Sequence, residues 1–282
     1  MANWFITGVS TGLGRALAEA VLAQGNVVVG TVRSAEAAGA FGAVVPGRAH
    51  GLVMDVTDEA AVLAAVAEAE ALTGGLDVVV NNAGHGFTGA IEETSLADAK
   101  ALFDVNLFGP MAVIKAVLPY LRARRRGHIV NITSVSGLAT WNGTGLYGAS
   151  KFALECIGRT LAQEVAPLGI TVINVAPGGL RTAFAAGGLP GAEPAIADYA
   201  GTAHTARPIL TGHHGTEPSD PALAAQAIMA VVAAADPPVL LLLGADALGY
   251  AEKEFAMLAG DIARWKPLTL SVAATDEEPA HA

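Results

Sequence analysis

Short apolar runs alternate with longer, alanine-rich segments of helical period along most of this 282-residue chain. Several of the runs are continuously apolar, which is typical of parallel strands buried on both faces of a sheet. Alternation on this scale predicts a single-domain, doubly wound α/β fold with a seven-stranded parallel sheet flanked by helices. The predicted strands cover residues 4–7, 27–32, 51–54, 76–81, 128–133, 170–175 and 239–243, and the predicted helices cover residues 14–24, 59–72, 96–122, 147–166 and 221–234.

No shift in composition marks a domain boundary before about residue 245. We therefore predict one α/β domain over residues 1–250, followed by a C-terminal helix and a flexible tail over residues 251–282. Residues 183–220 are rich in Gly, Pro, Thr and His, and their helical pattern is poor. Because a loop of this length within a compact domain is usually functional, this segment is predicted to be a substrate lid.

Composition and charge exclude several classes of function. The formal net charge is −10, which repels phosphates and disfavours nucleic-acid binding. The longest aliphatic run, residues 239–243, is far shorter than the roughly 20 residues of a membrane span, and no secretory signal is expected. The single Cys156 excludes an intramolecular disulfide and a multi-cysteine metal site, and His213 and His214 lack a third metal ligand. These features predict a cytoplasmic protein without metal or membrane partners.

A glycine-rich turn follows the first predicted strand and precedes the first helix. Gly8, Gly12 and Gly14 have the spacing G-x-x-x-G-x-G. The absence of Cβ atoms permits a tight turn and the close approach of a pyrophosphate, whose charge the positive end of the helix attracts. The strand–turn–helix context favours a dinucleotide site over an ordinary glycine-rich turn, which is the alternative.

The end of the second strand indicates which dinucleotide is bound. A carboxylate there would bind the adenosine ribose hydroxyl and indicate NAD, but Val32 stands at that position and Arg33 and Ser34 follow it. A guanidinium pairs well with a 2′-phosphate, so the sequence favours NADP. The alternative is that Arg33 stacks on the adenine and that NAD is also accepted. Asp55 binds the adenine amino group or serves as an ordinary turn carboxylate; the sequence does not separate these two interpretations.

Tyr147 and Lys151 lie four residues apart at the start of a predicted helix and therefore share one face. A phenol with a pKa of about 10 exchanges protons poorly at pH 7, whereas a nearby ammonium is expected to lower that pKa. Ser134 ends the preceding strand, where its hydroxyl is expected to hold a carbonyl oxygen beside Tyr147.

These motifs together resemble the short-chain dehydrogenase/reductase family. The matching pieces are Thr7-Gly8-x-x-x-Gly12-x-Gly14, Asn81-Asn82-Ala83-Gly84, Asn106, Ser134, Tyr147-x-x-x-Lys151 and Pro177-Gly178, in the family's order across residues 3–182. The resemblance implies a Rossmann fold, a catalytic tetrad of Asn106, Ser134, Tyr147 and Lys151, and a helix kink at Asn106 that holds a proton-relay water. It also implies a homodimer or homotetramer paired through the helices at residues 96–122 and 147–166.

The resemblance and the residue arguments together give two sets of ligand-binding candidates. The cofactor-binding set comprises Gly8, Ser10, Thr11, Gly12, Leu13, Gly14, Arg33, Asp55, Val56, Asn82, Ala83, Gly84, Tyr147, Lys151, Pro177, Gly178, Leu180 and Thr182. The substrate-binding set comprises His85, Ser136, Leu138, Trp141, Gly179 and Phe184.

The resulting hypothesis is an NADP(H)-preferring oxidoreductase that interconverts a ketone or aldehyde with an alcohol. Apolar residues in and around the lid favour a bulky apolar or aromatic substrate, unless they only pack the loop on itself. The alternative function is a regulatory protein of the same fold that binds NADP(H) without turnover, for which Tyr147 would be unnecessary. A nucleotide-sugar epimerase or dehydratase is less favoured, because little of the chain follows the seventh strand.

Overall fold

Seven parallel strands form one sheet in the computed structural model of this chain, which describes residues 1–185 and 189–273. The strand order is β3-β2-β1-β4-β5-β6-β7, so the direction of winding reverses between β1 and β4. The predicted doubly wound fold is therefore confirmed. The strands are β1 (Asn3–Thr7), β2 (Val27–Val32), β3 (Ala49–Val53), β4 (Val78–Asn81), β5 (Gly127–Ile132), β6 (Ile170–Pro177) and β7 (Leu240–Leu243).

Helices cover both faces of the sheet. In chain order they are α1 (Gly12–Ala23), α2 (Ala35–Gly42), α3 (Glu59–Thr73), α4 (Leu96–Phe103), α5 (Gly109–Arg124), α6 (Gly145–Val165), α7 (Ala206–Gly212), α8 (Pro221–Val232) and α9 (Ala245–Leu270). Ligands of open α/β sheets bind at the carboxyl ends of the strands where the winding reverses. In this chain that crevice lies where β1 and β4 end.

Alternate residues of each strand serve the two halves of the core. Ile6 and Val28 pack with α1 and α8 on one face of the sheet, whereas Phe5 and Val29 pack with α3 and α5 on the other. The four side chains are completely buried. This double burial is the physical reason why the central strands are apolar at successive positions rather than at every second one.

A π-helical turn, Asp104–Phe108, joins α4 and α5 into one helical run from Leu96 to Arg124. By length and mean hydropathy, which reaches 1.6, this run would be sufficient to cross a membrane. However, its residues Val113, Val117 and Leu121 are completely buried against the sheet. The run is therefore a core helix of the α/β fold, and core packing accounts for its apolar composition.

Three buried asparagines join the ends of β4, β5 and β6. Asn81 donates from Nδ2 to Asn131 Oδ1 across 2.9 Å, and Asn131 donates in turn to Asn174 Oδ1 across 3.0 Å. The three residues are aligned in the register of the sheet. A buried, connected polar ladder of this kind rigidifies its surroundings, so it fixes the relative heights of the loops that leave these strands.

The C-terminal part of the chain differs most from the sequence predictions. The helix expected after residue 251 begins at Ala245 and runs for 26 residues, with Ala247 and Ala251 buried against the body of the protein. Within the predicted lid, residues 183–220, the described residues form α7 and three short 3-10 turns. Residues 186–188 of that lid, and residues 274–282 of the tail predicted to be flexible, lie outside the described residues.

Candidate active site

The glycine turn between β1 and α1 is built for close approach of a ligand. Gly8 and Gly12 have φ angles of 74° and 62°, which L-residues with a Cβ rarely adopt. A Cβ on Gly14 would collide with the side chain of Asn82 and with the Gly8 carbonyl. Thr11 is the N-cap of α1, but no side chain among the described residues caps the helix. The amides of its first turn therefore remain available to a phosphate.

The loop that follows β4 supports the glycine turn through hydrogen bonds. Asn82 donates from Nδ2 to the carbonyl oxygens of Thr7 and Gly8, at 2.8 and 3.0 Å. The Thr7 hydroxyl accepts hydrogen bonds from the amides of Asn82 and Ala83, both at 2.9 Å. Asn82 thus stabilises the shape of the glycine turn. Thr7, which the sequence indicated only as part of a motif, connects the glycine turn to the loop after β4.

The ends of β2 and β3 form the far end of the site. Arg33 is exposed there, and Ser34 caps α2 by accepting a hydrogen bond from the Ala37 amide at 3.2 Å. Asp55 Oδ1 accepts hydrogen bonds from the amide and the hydroxyl of Thr57 at 2.9 and 2.8 Å. These hydrogen bonds, assisted by the Arg33 charge, lower the pKa of Asp55. The turn interpretation of Asp55 therefore has a structural basis.

Asn106 lies at the centre of the π-helical turn and is completely buried. Its Oδ1 accepts from the His85 amide at 3.0 Å, and its Nδ2 donates to the His85 carbonyl oxygen at 2.9 Å and to Ser150 Oγ at 3.1 Å. The side chain therefore joins the loop after β4 to α6. The structure has a helix irregularity where the resemblance implied a kink.

Tyr147 and Ser134 lie close together at the N-terminus of α6. Tyr147 lies in the first turn of that helix, and Ser134 directly follows Thr133 at the end of β5. Burial raises the pKa of Tyr147 to about 12, and a hydrogen bond with Ser134 only partly offsets this effect. The net change is opposite to the lower pKa expected beside Lys151, because removal from water outweighs the other effects on the phenol.

Lys151 is buried one helical turn after Tyr147, with 5% of its surface exposed. Its Nζ donates a hydrogen bond to the carbonyl oxygen of Ile132 at 2.9 Å. Because burial disfavours the charged form, the pKa of Lys151 is lowered to about 8. The amine is thus held at Ile132, the last residue of β5, which precedes Ser134 by two residues.

A cavity of about 750 Å³ joins these groups. It is lined by Ser134, Tyr147 and Lys151, by His85 and Phe184 of the substrate candidates, and by every cofactor candidate except Gly178. Asn106 does not line it, since that side chain is enclosed behind the loop at His85. The structure therefore brings together most of the residues predicted from separate motifs.

Four substrate candidates lie outside this lining: Ser136, Leu138, Trp141 and Gly179. Leu138 is buried with Ala176 and Ala251, and the Trp141 ring packs edge-on against Tyr250 with the ring centroids 5.1 Å apart. The placement of Leu138 and Trp141 in the substrate pocket is corrected accordingly. The physical reason is α9, whose first turns cover both residues.

The other predicted residues that do not line the cavity lie in or next to two short turns. The Gly179 amide donates to Asp246 Oδ2 at 2.7 Å, and a Cβ on Gly178 would collide with the same carboxylate. The Ser136 amide donates to Ser134 Oγ at 3.0 Å within a 3-10 turn. These residues therefore shape the segments that carry Pro177 and Ser134 without lining the cavity.

Sequence reasoning missed part of the lining. The additional residues are Thr31, Met54, Thr57, Gly86, Val105, Ile132, Thr133, Ala183 and Pro190, whereas Val32, which also lines the cavity, was expected at the adenosine ribose. Several of them end a strand or follow one directly, and the carboxyl-end rule for parallel sheets would have found those. Pro190 and Gly86 carry no such signal, because their place depends on how the segment after β6 folds back.

The residues of the crevice fit a dinucleotide. The glycines with positive φ, the uncapped amides of α1 and the exposed Arg33 are features that suit a pyrophosphate and a further phosphate. At the other end of the same cavity, Ser134, Tyr147 and Lys151 supply polar groups suited to a ribose and a carbonyl oxygen.

Comparisons with known proteins show the family and the fold of this chain. Residues 3–189 match the family model described as short chain dehydrogenase. The chain is 37% identical over 275 residues to Oxidoreductase BOA17 of Botryotinia fuckeliana, covering 96% of this chain and 98% of that protein. It is 40% identical to a 3-ketodihydrosphingosine reductase of Bacteroides thetaiotaomicron over 179 residues, or 64% of each chain. A crystal structure of a short-chain dehydrogenase from Streptomyces avermitilis superposes with a TM-score of 0.90 at 36% identity, covering 97% of this chain and all of the other.

Proposed function

Since this chain belongs to the short-chain dehydrogenase family and is an NAD(P)-dependent oxidoreductase, we propose that it reduces a bulky apolar or aromatic ketone or aldehyde with NADPH, and that the reaction is reversible. The observation that carries this proposal is the convergence of Ser134, Tyr147 and Lys151 on the cavity that the glycine turn also lines. A protein that only bound the dinucleotide would not need an acid at that place.

The catalytic roles follow from the positions of the side chains. When bound, the nicotinamide supplies the hydride that reaches the carbonyl carbon. Ser134 donates a hydrogen bond to the carbonyl oxygen, and Tyr147 donates the proton that completes the alcohol. With a pKa of about 12 the phenol is fully protonated at neutral pH, so it is ready to act as an acid in the reductive direction. Lys151 holds the ribose hydroxyls, and Asn106 fixes the loop at His85.

The preference for NADPH rests on the adenosine end of the crevice. Arg33 lines the cavity beside Val32, which is apolar and offers no acceptor to a free 2′-hydroxyl. The capped N-terminus of α2 begins directly after Arg33 and adds the positive end of its dipole. A 2′-phosphate is therefore favoured over a hydroxyl. The coarser statement, that the enzyme uses NAD or NADP, does not depend on this argument.

The proposed substrate class rests on the residues next to Tyr147. The Phe184 ring lies 5.8 Å from the Tyr147 ring, centroid to centroid, and Leu189 is buried. A Cβ on Gly86 would touch the side chains of both Phe184 and Leu189, so the two side chains form an apolar wall over that glycine. The similarity to a 3-ketodihydrosphingosine reductase supports the same substrate class.

Two further properties belong to the proposal. Leu96, Phe108 and Phe152 are exposed apolar residues on or between α4 and α6, which supports a homodimer or homotetramer paired through these helices. Cys156 is exposed and free, which suits the reducing conditions of a cytoplasmic location.

A panel of carbonyl substrates with NADPH and NADH tests the proposal. Loss of the reduced-cofactor absorbance with aryl or long-chain ketones, faster with NADPH than with NADH, is the expected result. Tight NADPH binding without turnover of any carbonyl or alcohol would instead favour the regulatory alternative. Faster turnover of small polar ketoses than of aryl ketones would contradict the proposed substrate class.

A further inference from the structure

The C-terminal helix α9 leaves the body of the protein after its first two turns. Ala247 and Ala251 are buried, whereas every residue from Phe255 to the last described residue, Ala273, is exposed. A helix in a protein gains most of its stability by packing an apolar face against other parts of the structure, so a helix that projects into water is not expected to carry many large apolar side chains. This part of α9 nevertheless carries several large apolar side chains.

Six apolar residues of α9 follow a heptad repeat, whereas Tyr250, Met257, Leu268 and Leu270 lie outside it. Leu248, Phe255 and Ile262 are spaced by seven residues, and Ala251, Leu258 and Trp265 form the second row, each three residues after a member of the first. Alternating steps of three and four residues are the signature of a coiled-coil seam. Phe255, Leu258, Ile262 and Trp265 are 46%, 47%, 71% and 54% exposed, so the seam has no cover within the described chain.

The residues that disfavour helices lie off the seam. Gly249, Gly260 and Pro267 are placed on the opposite side of the heptad, and their positions interrupt neither apolar row. Both apolar rows are continuous from Leu248 to Trp265, while the outer face of the helix contains two glycines and a proline. This contrast indicates that the seam itself is the functional face.

The charges on one flank of the seam are self-complementary, whereas the other flank carries Glu254 and Asp261, of which Asp261 is paired with Arg264 of its own helix at 3.2 Å. Glu252 and Lys266 occupy the same flanking heptad position, two heptads apart and equidistant from Ala259. If two copies of α9 lie antiparallel with Leu258 facing Ile262 of the second copy, Glu252 of each faces Lys266 of the other. The same register places Phe255 against Trp265 of the second copy. Large side chains therefore face each other in both of these pairs at the centre of the seam.

We propose that α9 pairs with α9 of a second copy of this chain as an antiparallel two-stranded coiled coil. The interface is isologous, as a two-fold axis near Ala259 requires. Two seams of large side chains offer on the order of 1,000 Å² of surface, close to the roughly 1,200 Å² at which specific interfaces begin. The pairing surface is separate from the one proposed above through α4, α5 and α6.

A lipid surface is the less favoured occupant. Helices that lie in membranes are typically rich in Lys and Arg on the polar face. Residues 252–266 of α9 instead carry three acidic and three basic side chains, which gives no net charge. A helix without net charge is not attracted to an anionic bilayer. It can pair with an antiparallel second copy, because acidic residues of one helix then face basic residues of the other.

The mass of the full chain in solution tests the pairing directly. Ile262→Glu places a charge in the middle of the seam, and we expect light scattering to give half the mass of the parent at a concentration where the parent is fully assembled. Met257→Glu is the matched control, because Met257 is 54% exposed but lies off the seam. It should keep the parent mass. Because both residues are exposed, neither change should impair folding, and far-ultraviolet circular dichroism checks this point.

The antiparallel register has its own test. Glu252→Lys and Lys266→Glu should each raise the dissociation constant of the pair by about tenfold at low salt, since each change places like charges opposite one another. The double variant should return to within about threefold of the parent, because the pairs are restored with exchanged signs. A double variant weaker than either single variant would contradict the register.

Three results would overturn the proposal as a whole: a monomeric parent, an Ile262→Glu variant with the parent mass, or loss of mass in Met257→Glu alone. Binding of the parent to anionic phosphatidylserine vesicles that Ile262→Glu abolishes, without any change in mass, would identify a lipid surface as the occupant and would likewise contradict pairing. None of these measurements depends on the proposed catalytic activity.

Discussion

The Nζ of Lys151 and the carbonyl oxygen of Ile132 lie 2.9 Å apart, joined by a hydrogen bond that spans from α6 to the end of β5. The amine is buried and its pKa is lowered to about 8 from an ordinary value of 10.5. A lysine that is costly to charge in the native state is retained here because it lines the cavity at the position where the catalytic groups meet.

The buried Lys151 should make stability depend on pH in a defined window. Between about pH 8 and pH 10.5 the unfolded chain binds more protons at this site than the native protein does, so the stability of the parent rises with pH there. The free energy of unfolding of Lys151→Met minus that of the parent should therefore fall by about 3 kcal/mol across the window. Urea unfolding at a series of pH values measures the difference. Lys115→Met, at an exposed position, is the control, and an equally steep slope there would contradict the assignment.

Asn106 should be important for the fold of the site even though it does not line the cavity. Asn106→Ala leaves the amide and carbonyl of His85 without their partners, and we expect a loss of about 3 kcal/mol in the free energy of unfolding. Asn142→Ala, at an exposed position, should change it by less than about 0.5 kcal/mol. Chemical denaturation compares the two variants. Equal stabilities would show that the three hydrogen bonds of Asn106 are replaced by water.

The carboxylate of Glu93 should hold the proposed lid against the turn before α4. Its Oε1 accepts from the amides of Ala195 and Ile196 at 2.7 and 2.8 Å, and its Oε2 lies 2.9 Å from His204 Nε2. Glu93→Ala should raise the hydrogen-exchange rates of these two amides at least tenfold, since they lose their acceptor. Glu92→Ala, which removes a single contact with Tyr199, is the control and should leave them protected.

The Glu93 contact should also persist in mild acid. Hydrogen bonds from the lid amides lower the pKa of Glu93 to about 2, so the ionised form is retained well below the ordinary carboxylate range and the contact is lost only as pH falls through that value. Protection of Ala195 and Ile196, corrected for intrinsic exchange, should therefore be the same at pH 5 and pH 7. Loss of protection near pH 4 to 5 would contradict this account.

Cofactor preference should depend on Arg33. Arg33→Ala removes a charge-assisted contact with a 2′-phosphate and should raise the KM for NADPH by about tenfold, the lower end of the expected range because the site is exposed. The KM for NADH should change little, and added salt should reduce the preference in the parent. Arg122→Ala removes an exposed charge outside the cavity and serves as the control. Equal KM values for both cofactors, unchanged by Arg33→Ala, would indicate that Arg33 only stacks on the adenine.

The sequence predicted the sheet and most of the crevice because both follow from local rules. Strand periodicity, the glycine spacing and the order of motifs along the chain place Gly12, Ser134 and Tyr147 in the segments that follow β1 and β5, at the carboxyl edge of the sheet. The position of Trp141 was not predictable in this way, because it depends on the path of α9 after β7. The pKa of Tyr147 was predicted in the wrong direction, since spacing along a helix indicates which groups are near one another but not how far each is removed from water.

Measurement of NADPH-dependent carbonyl reduction by the parent and by Tyr147→Phe tests the central claim most directly. The phenylalanine ring preserves the shape of the site but removes the proton donor, so we expect turnover to fall by at least about a hundredfold while NADPH binding, followed by fluorescence titration, stays within about threefold of the parent. Absence of turnover in the parent with every carbonyl of the panel, or a Tyr147→Phe variant whose turnover stays within tenfold of the parent, would contradict the account.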